Sequence, residues 1–175
     1  MHAADVVIDI TEVDSSAMYP LGQEFYSPAT SQATVTTSKP PANSGPRVWV
    51  YVFNDEPTAS FAAGNIVMRD VTTTNADGML TTAGTLIPAI RLLGVAQHTI
   101  AAGSYGWILK RGMGEVMAGD GAVIGENKAL TSAGTTDAGT ALDFADGAEE
   151  CVFAFSTEAS TGTNGLATCW INCPG

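Results

Sequence analysis

Residues 47 to 55, RVWVYVFND, restrict the fold more than any other stretch. Val48, Val50 and Val52 alternate with Trp49, Tyr51 and Phe53, so a strand here is apolar on both faces. Successive strand side chains point to opposite sides of a sheet, and a strand apolar on both sides must be covered on both. The chain therefore has to bring a layer of structure to each side of this segment.

The remaining β-prone runs are short and closely spaced. They are NIVMRDV at 65–71, IRLLGVAQHTI at 90–100, YGWILKR at 105–111, GEVMA at 114–118, AVIG at 122–125, ECVFAFS at 150–156 and LATCWINC at 166–173. Turn chemistry separates them at Asp77-Gly78, at Asp120-Gly121 and in a Gly-Thr-rich loop at 134–140. This pattern predicts a mainly β fold, an antiparallel β-sandwich or barrel of short strands. Stretches free of β-branched runs and glycine are brief, so at most one or two short helices are expected, around 56–63 or 142–150.

Residues 27–46, SPATSQATVTTSKPPANSGP, are nearly all small, polar or Pro, and Pro40-Pro41 removes two backbone donors. They predict an extended N-terminal arm or loop. The arm divides an N-terminal segment, 1–46, with the runs VVIDI and MYPLGQEFY, from a β domain over 47–175, which the N-terminal strands could join as one compact unit. A chain of 175 residues suits one domain, with or without an arm.

Seven Lys and Arg against eighteen Asp and Glu give a net charge of -11, which repels a phosphate backbone and supplies no basic stripe. Nucleic acid is not an expected partner. The N-terminus lacks the basic and apolar regions of a secretory signal. VWVYVF, the longest clean apolar run, falls far short of the roughly 20 residues of a membrane helix, so no membrane association is expected.

The stretch GSYGWILKRGMGEV at 103–116 sets Lys110 and Arg111 beside Gly112 and Gly114, as a phosphate-cradling loop might. A dinucleotide fingerprint needs a third glycine and a following helix, whereas GMGEVM lacks the glycine and runs into β-branched Val116. A P-loop lysine follows its glycine, and Lys110 precedes it. Tyr105, Trp107 and Leu109 alternate as on a strand, so the stretch is expected to form two strand segments joined by a glycine bend, with Lys110 and Arg111 as solvated or edge-guarding charges.

Other chemistry is sparse. His98 is the single internal histidine and cannot build a multi-histidine metal site or name its own catalytic partners. Asp143, Asp146, Glu149 and Glu150 crowd the stretch DFADGAEE, but the alternating calcium-loop pattern is absent, and a solvated acidic turn is expected. No metal, no cofactor and no catalytic residue is assigned, and the chain is not expected to be an enzyme. Cys151, Cys169 and Cys173 show no Cys-x-x-Cys spacing. Free buried thiols are expected, with one disulfide open under oxidising conditions. FAAGN at 61–65 and IAAGS at 100–104 repeat a local pattern, an apolar anchor, two small residues and a glycine free to take positive φ, which suits a tight lead into a strand.

The run LGVAQHTIAAGSYGWILKRGMGEVMAGDGAVIGENKALTSAG, with the late pair ECVFAFSTEAS and ATCWINCPG, resembles the small β-rich capsid decoration (cement) proteins of tailed bacteriophages. There a GVAQ strand precedes an apolar-Ala-Ala-Gly turn, an aromatic strand and a Gly-Glu-Val strand. YPLGQEF, RVWVYVF and FAAGNIV are similar to the opening of such proteins. The 27–46 segment departs from their pattern, and the three cysteines have no counterpart in it.

The resemblance implies a protein made in the host cytoplasm and carried on the capsid exterior of the virion. It would be a homo-oligomer, with a trimer favoured, lying over junctions between copies of the major capsid protein and stabilising the shell. The arm would reach a neighbouring subunit, with Pro40 and Pro41, and the aromatics Tyr19 and Tyr26, as candidate interface residues. The alternative is a virion-surface recognition or carbohydrate-binding module using Trp49, Trp107 or Trp170 as a stacking platform; against it, their strand context places these tryptophans in the core.

Overall fold

The computed structural model describes residues 8–27, 45–72, 76–119, 121–132, 137–144, 147 and 149–175. Their strands are β1 (Val13–Asp14), β2 (Glu24–Ser27), β3 (Arg47–Asn54), β4 (Ile66–Arg69), β5 (Asp77–Leu80), β6 (Leu92–Val95), β7 (Tyr105–Met117), β8 (Ala129–Thr131), β9 (Leu142–Asp143), β10 (Val152–Ser156) and β11 (Leu166–Asn172). The helical elements among the described residues are two 3-10 turns, Ala89–Arg91 and Glu149–Cys151. The fold is mainly β, as expected.

Five strands close on themselves. β3 pairs with β5, β5 with β4, β4 with β6, β6 with β7, and β7 returns to β3. The β3–β5 pair is parallel, a departure from the all-antiparallel expectation. Beyond the ring the sheet continues from β7 through β11, β10 and β8 to β9, while β2 pairs with β3 and β1 with β7. The N-terminal strands thus belong to the same sheet as the rest.

The two-faced strand of the sequence serves two cores. Val50 and Val52 of β3 join Val67, Leu93 and Ile108, with Leu80 against them, in a cluster to which every strand of the ring contributes. Such a cluster fills the ring. On its other face β3 presents Trp49 and Tyr51 to a larger core with Trp107, Leu109, Val116, Phe153, Cys169 and Ile171. Tyr19, Leu21 and Phe25 from the N-terminal segment pack against that core. Each large apolar side chain so buried stabilises the fold by about 1.5–3 kcal/mol.

The repeated FAAGN and IAAGS segments meet. Phe61 N–H donates to Ile100 O and Ile100 N–H donates to Phe61 O, both at 2.9 Å, and both side chains are fully buried in the ring cluster. Gly64 and Gly103 take φ of +87° and +71° in the turns that follow. The repeat is therefore one lead into β4 and one into β7, clipped together.

Several expectations need correction. YGWILKR and GEVMA are one continuous 13-residue strand, not two segments joined by a bend. Gly112 lies inside it at φ +120°, where a Cβ would come within 2.9 Å of Arg47 Cγ and 3.0 Å of Pro46 O. Its pairing with Ile171 is uninterrupted, so the glycine admits a close neighbour rather than ending the strand. Asp77-Gly78 lies within β5 for a similar reason, because a Gly78 Cβ would stand 2.6 Å from Val67 Cγ1. AVIG forms no strand; Ile124 is a buried plug whose N–H donates to Ser160 Oγ at 3.1 Å. Residues 56–63 are not helical, and 142–150 holds β9 and the start of a 3-10 turn.

Candidate interaction surface

The register of the extended sheet assembles an exposed apolar row. Trp170 stands opposite Met113 on one side and Phe155 on the other, and Phe155 stands opposite Ala129. Directly paired residues share a face, so β7, β11, β10 and β8 each give one side chain to the row. The intervening residues of β11, Cys169 and Ile171, are fully buried in the larger core, which leaves Trp170 40% and Phe155 56% exposed on the opposite face. Gly45 lies at the rim, where a Cβ would be 4.0 Å from Trp170 Cζ3.

Polar pairs flank the row. On one side Asn172 stands opposite Arg111, and Arg111 Nε donates to Asn172 Oδ1 at 3.0 Å. On the other, Thr168 stands opposite Glu115, and Thr168 Oγ1 donates to Glu158 Oε2 at 3.0 Å. Burial pushes the half-buried Glu115 carboxyl above its ordinary value.

The residues singled out from sequence are scattered. Tyr26 is 62% exposed on β2, whose described pairing is with β3 alone. Tyr19 is half-buried, its ring 5.2 Å from those of both Tyr51 and Trp107, so it covers the larger core. Pro40 and Pro41 lie outside the described residues. Of the three tryptophans, Trp49 and Trp107 are each 1% exposed, and Trp170 alone reaches the surface. Phe155 was not singled out, because ECVFAFS is apolar on both faces and only the register with Trp170 reveals which phenylalanine points outward.

The polar candidates have structural partners. Lys110 Nζ lies 2.7 Å from Glu24 Oε1, an ion pair linking β7 to β2. Asp143 Oδ1 accepts from Gly125 N–H at 3.3 Å, Glu149 and Glu150 are exposed at a 3-10 turn, and Asp146 lies outside the described residues. His98 is half-buried with an unpartnered Nε2, and burial lowers its pKa. No group of His, Cys, Asp and Glu side chains that could hold a metal occurs among the described residues. A surface hollow of about 340 Å³ is lined by Asn65, Met117, Asp137, Thr140 and Asn164. Asn65 is committed there to backbone, accepting from Ala62 N–H at 2.8 Å and donating to Gly139 O at 3.3 Å. All three cysteines are buried and free. No described helix is long and apolar enough to cross a membrane.

The arrangement defines a β domain with two filled cores and a discrete aromatic surface. No family profile matches the chain, and no curated protein does. Among solved structures, it is similar to the head fiber gp8.5 N base in bacteriophage phi29, at 17% identity over 72% of this chain and 94% of that chain, with a TM-score of 0.49.

Proposed function

We propose that the chain is a structural virion protein of a tailed bacteriophage that decorates the capsid exterior and stabilises the shell. The observation that carries this reading is the placement of the residues resembling cement proteins. LGVAQ supplies Leu93, Gly94 and Val95 of β6, the Ile100-Ala-Ala-Gly turn leads into β7, and the aromatic and Gly-Glu-Val segments are the two halves of β7. The late pair, β10 and β11, docks beside them. A resemblance spread along the sequence thus maps onto one contiguous block of sheet.

The physical chemistry suits such a role. Shell stabilisation is a binding function and asks no catalytic step of the chain. Many copies on one lattice gain avidity from modest individual contacts, and a closed oligomer, a trimer in this reading, multiplies the contacts each unit makes over a junction between major capsid proteins. A net charge of -11 keeps the free subunits soluble at the high concentration assembly needs.

Purified particles provide the test. The protein should co-purify with capsids in stoichiometric amount, and particles lacking it should release DNA at a lower temperature than intact ones. Absence from particles would overturn the virion assignment, and equal heat survival would overturn the stabilising role.

A further inference from the structure

We infer that the outer face of β7, β11 and β10 around Trp170 and Phe155 is a binding platform for a neutral oligosaccharide. This goes beyond the proposed shell role and does not rest on it.

An exposed aromatic ring offers a flat apolar face to the C–H side of a sugar ring, and the sugar's hydroxyl rim then needs hydrogen-bonding groups beside the aromatic. Trp170 has them on both sides. Asn172 and Thr168 lie two residues away along β11, on the same face, each about 6–7 Å from Trp170 along the strand. Both are held in place. Asn172 accepts from Arg111 Nε through Oδ1, which leaves its NH₂ group to donate, and Thr168 donates to Glu158, which leaves its oxygen to accept. Groups fixed before binding lose little freedom on binding.

Width and charge select the ligand. The apolar row is one residue wide along the strands, bounded by Arg111–Asn172 on one flank and Glu115–Thr168 on the other. A stable protein interface covers about 800 Å² per partner, far more than one row of side chains, whereas a chain of sugar rings can follow such a row from Trp170 to Phe155. Two carboxylates beside the row, Glu115 and Glu158, outnumber its one flanking cation, Arg111, whose guanidinium is engaged with Asn172. On a chain of net charge -11 this balance disfavours sialylated or uronic-acid sugars and leaves neutral ones.

The full chain would be titrated calorimetrically with cellohexaose, maltohexaose, chitohexaose and mannohexaose, and with sialyllactose as the anionic probe. At least one neutral hexasaccharide should bind. Trp170→Ala should weaken it by about tenfold or more, the loss of one well-stacked ring, and Asn172→Ala several-fold, with circular dichroism unchanged in both. The proposal is overturned if none of the four neutral sugars binds, if binding survives both substitutions, or if sialyllactose binds as tightly as the best neutral sugar. It is also overturned if the wild-type chain binds no sugar while Trp170→Ala abolishes co-purification with capsids, which would make the face a protein-docking surface.

Discussion

Gln97 and Glu115 are joined by two hydrogen bonds: Glu115 N–H donates to Gln97 Oε1 at 2.9 Å, and Gln97 Nε2 donates to Glu115 O at 3.0 Å. The amide side chain serves Glu115 as a strand partner would, at a point on β7 well past Leu109, where β6 itself pairs. Gln97→Ala leaves both backbone groups of Glu115 short of a partner in a half-buried site and should cost about 1–3 kcal/mol, measured by urea unfolding. Unchanged stability would show that water replaces the amide at no cost.

Gly94 lets β6 press against β7, because a Cβ there would fall 2.6 Å from Leu109 O, a backbone atom that cannot swing away. Gly94→Ala should cost about 3 kcal/mol or more. Gly103 has open space around it and only a positive φ to satisfy, so Gly103→Ala should cost about 1–2 kcal/mol. Thermal unfolding of the two variants checks the order, and a reversed order would contradict the packing of β6 on β7.

Tyr51 ties the N-terminal segment to the sheet. Its hydroxyl donates to Asp14 Oδ2 at 2.5 Å and accepts from Met18 N–H at 3.2 Å. Burial and then the Asp14 hydrogen bond push its pKa well above the ordinary tyrosine value. In a spectrophotometric alkaline titration one tyrosine should stay unionised after the others, and Tyr51→Phe should remove that late transition. The same variant should lose about 1 kcal/mol of stability.

Burial pushes the Cys169 and Cys173 thiols up to about 12, and burial and Glu150 raise that of Cys151. Thiolate is the reactive form, so native protein at pH 8 should resist Ellman's reagent, while protein in guanidinium should release the signal of three thiols. Rapid labelling of the native chain would contradict the buried placement.

His98 makes stability depend on pH. Burial holds its folded pKa below 6.5, outweighing the opposing pull of Asp9, so between the folded and unfolded pKa values the unfolded chain binds more protons. Stability is therefore full above about pH 6.5 and falls as pH drops through that window. His98→Gln should flatten this part of the profile. Melting temperatures of the two proteins from pH 7.5 to pH 5 test it, and parallel curves would exclude His98 as the cause.

The architecture was legible where one residue type had one meaning. The two-sided apolarity of 47–53 required two layers, and β3 does separate two cores. Glycine was harder because it has two uses. At 112 and 78 it admits a close neighbour inside a strand, and a single sequence does not distinguish that from a turn. The aromatic row was half legible: Trp170 stood out as one of three tryptophans, but its exposure and its pairing with Phe155 follow from register, a long-range property. The split at residue 46 was drawn from composition, whereas β2 completes the same sheet through its pairing with β3.

The position of β7 in the sheet also dictates when the molecule can form. It pairs with β1, β3, β6 and β11, and three of those four precede it in the chain. During synthesis β1, β3 and β6 therefore leave the ribosome without their shared partner, and the ring stays open until β7 has emerged as far as Arg111. Such distant pairing makes folding slow, and of the waiting strands β3 is the one with large apolar side chains on both faces. Chaperone dependence should therefore be concentrated in nascent chains that have displayed β3 but not yet completed β7.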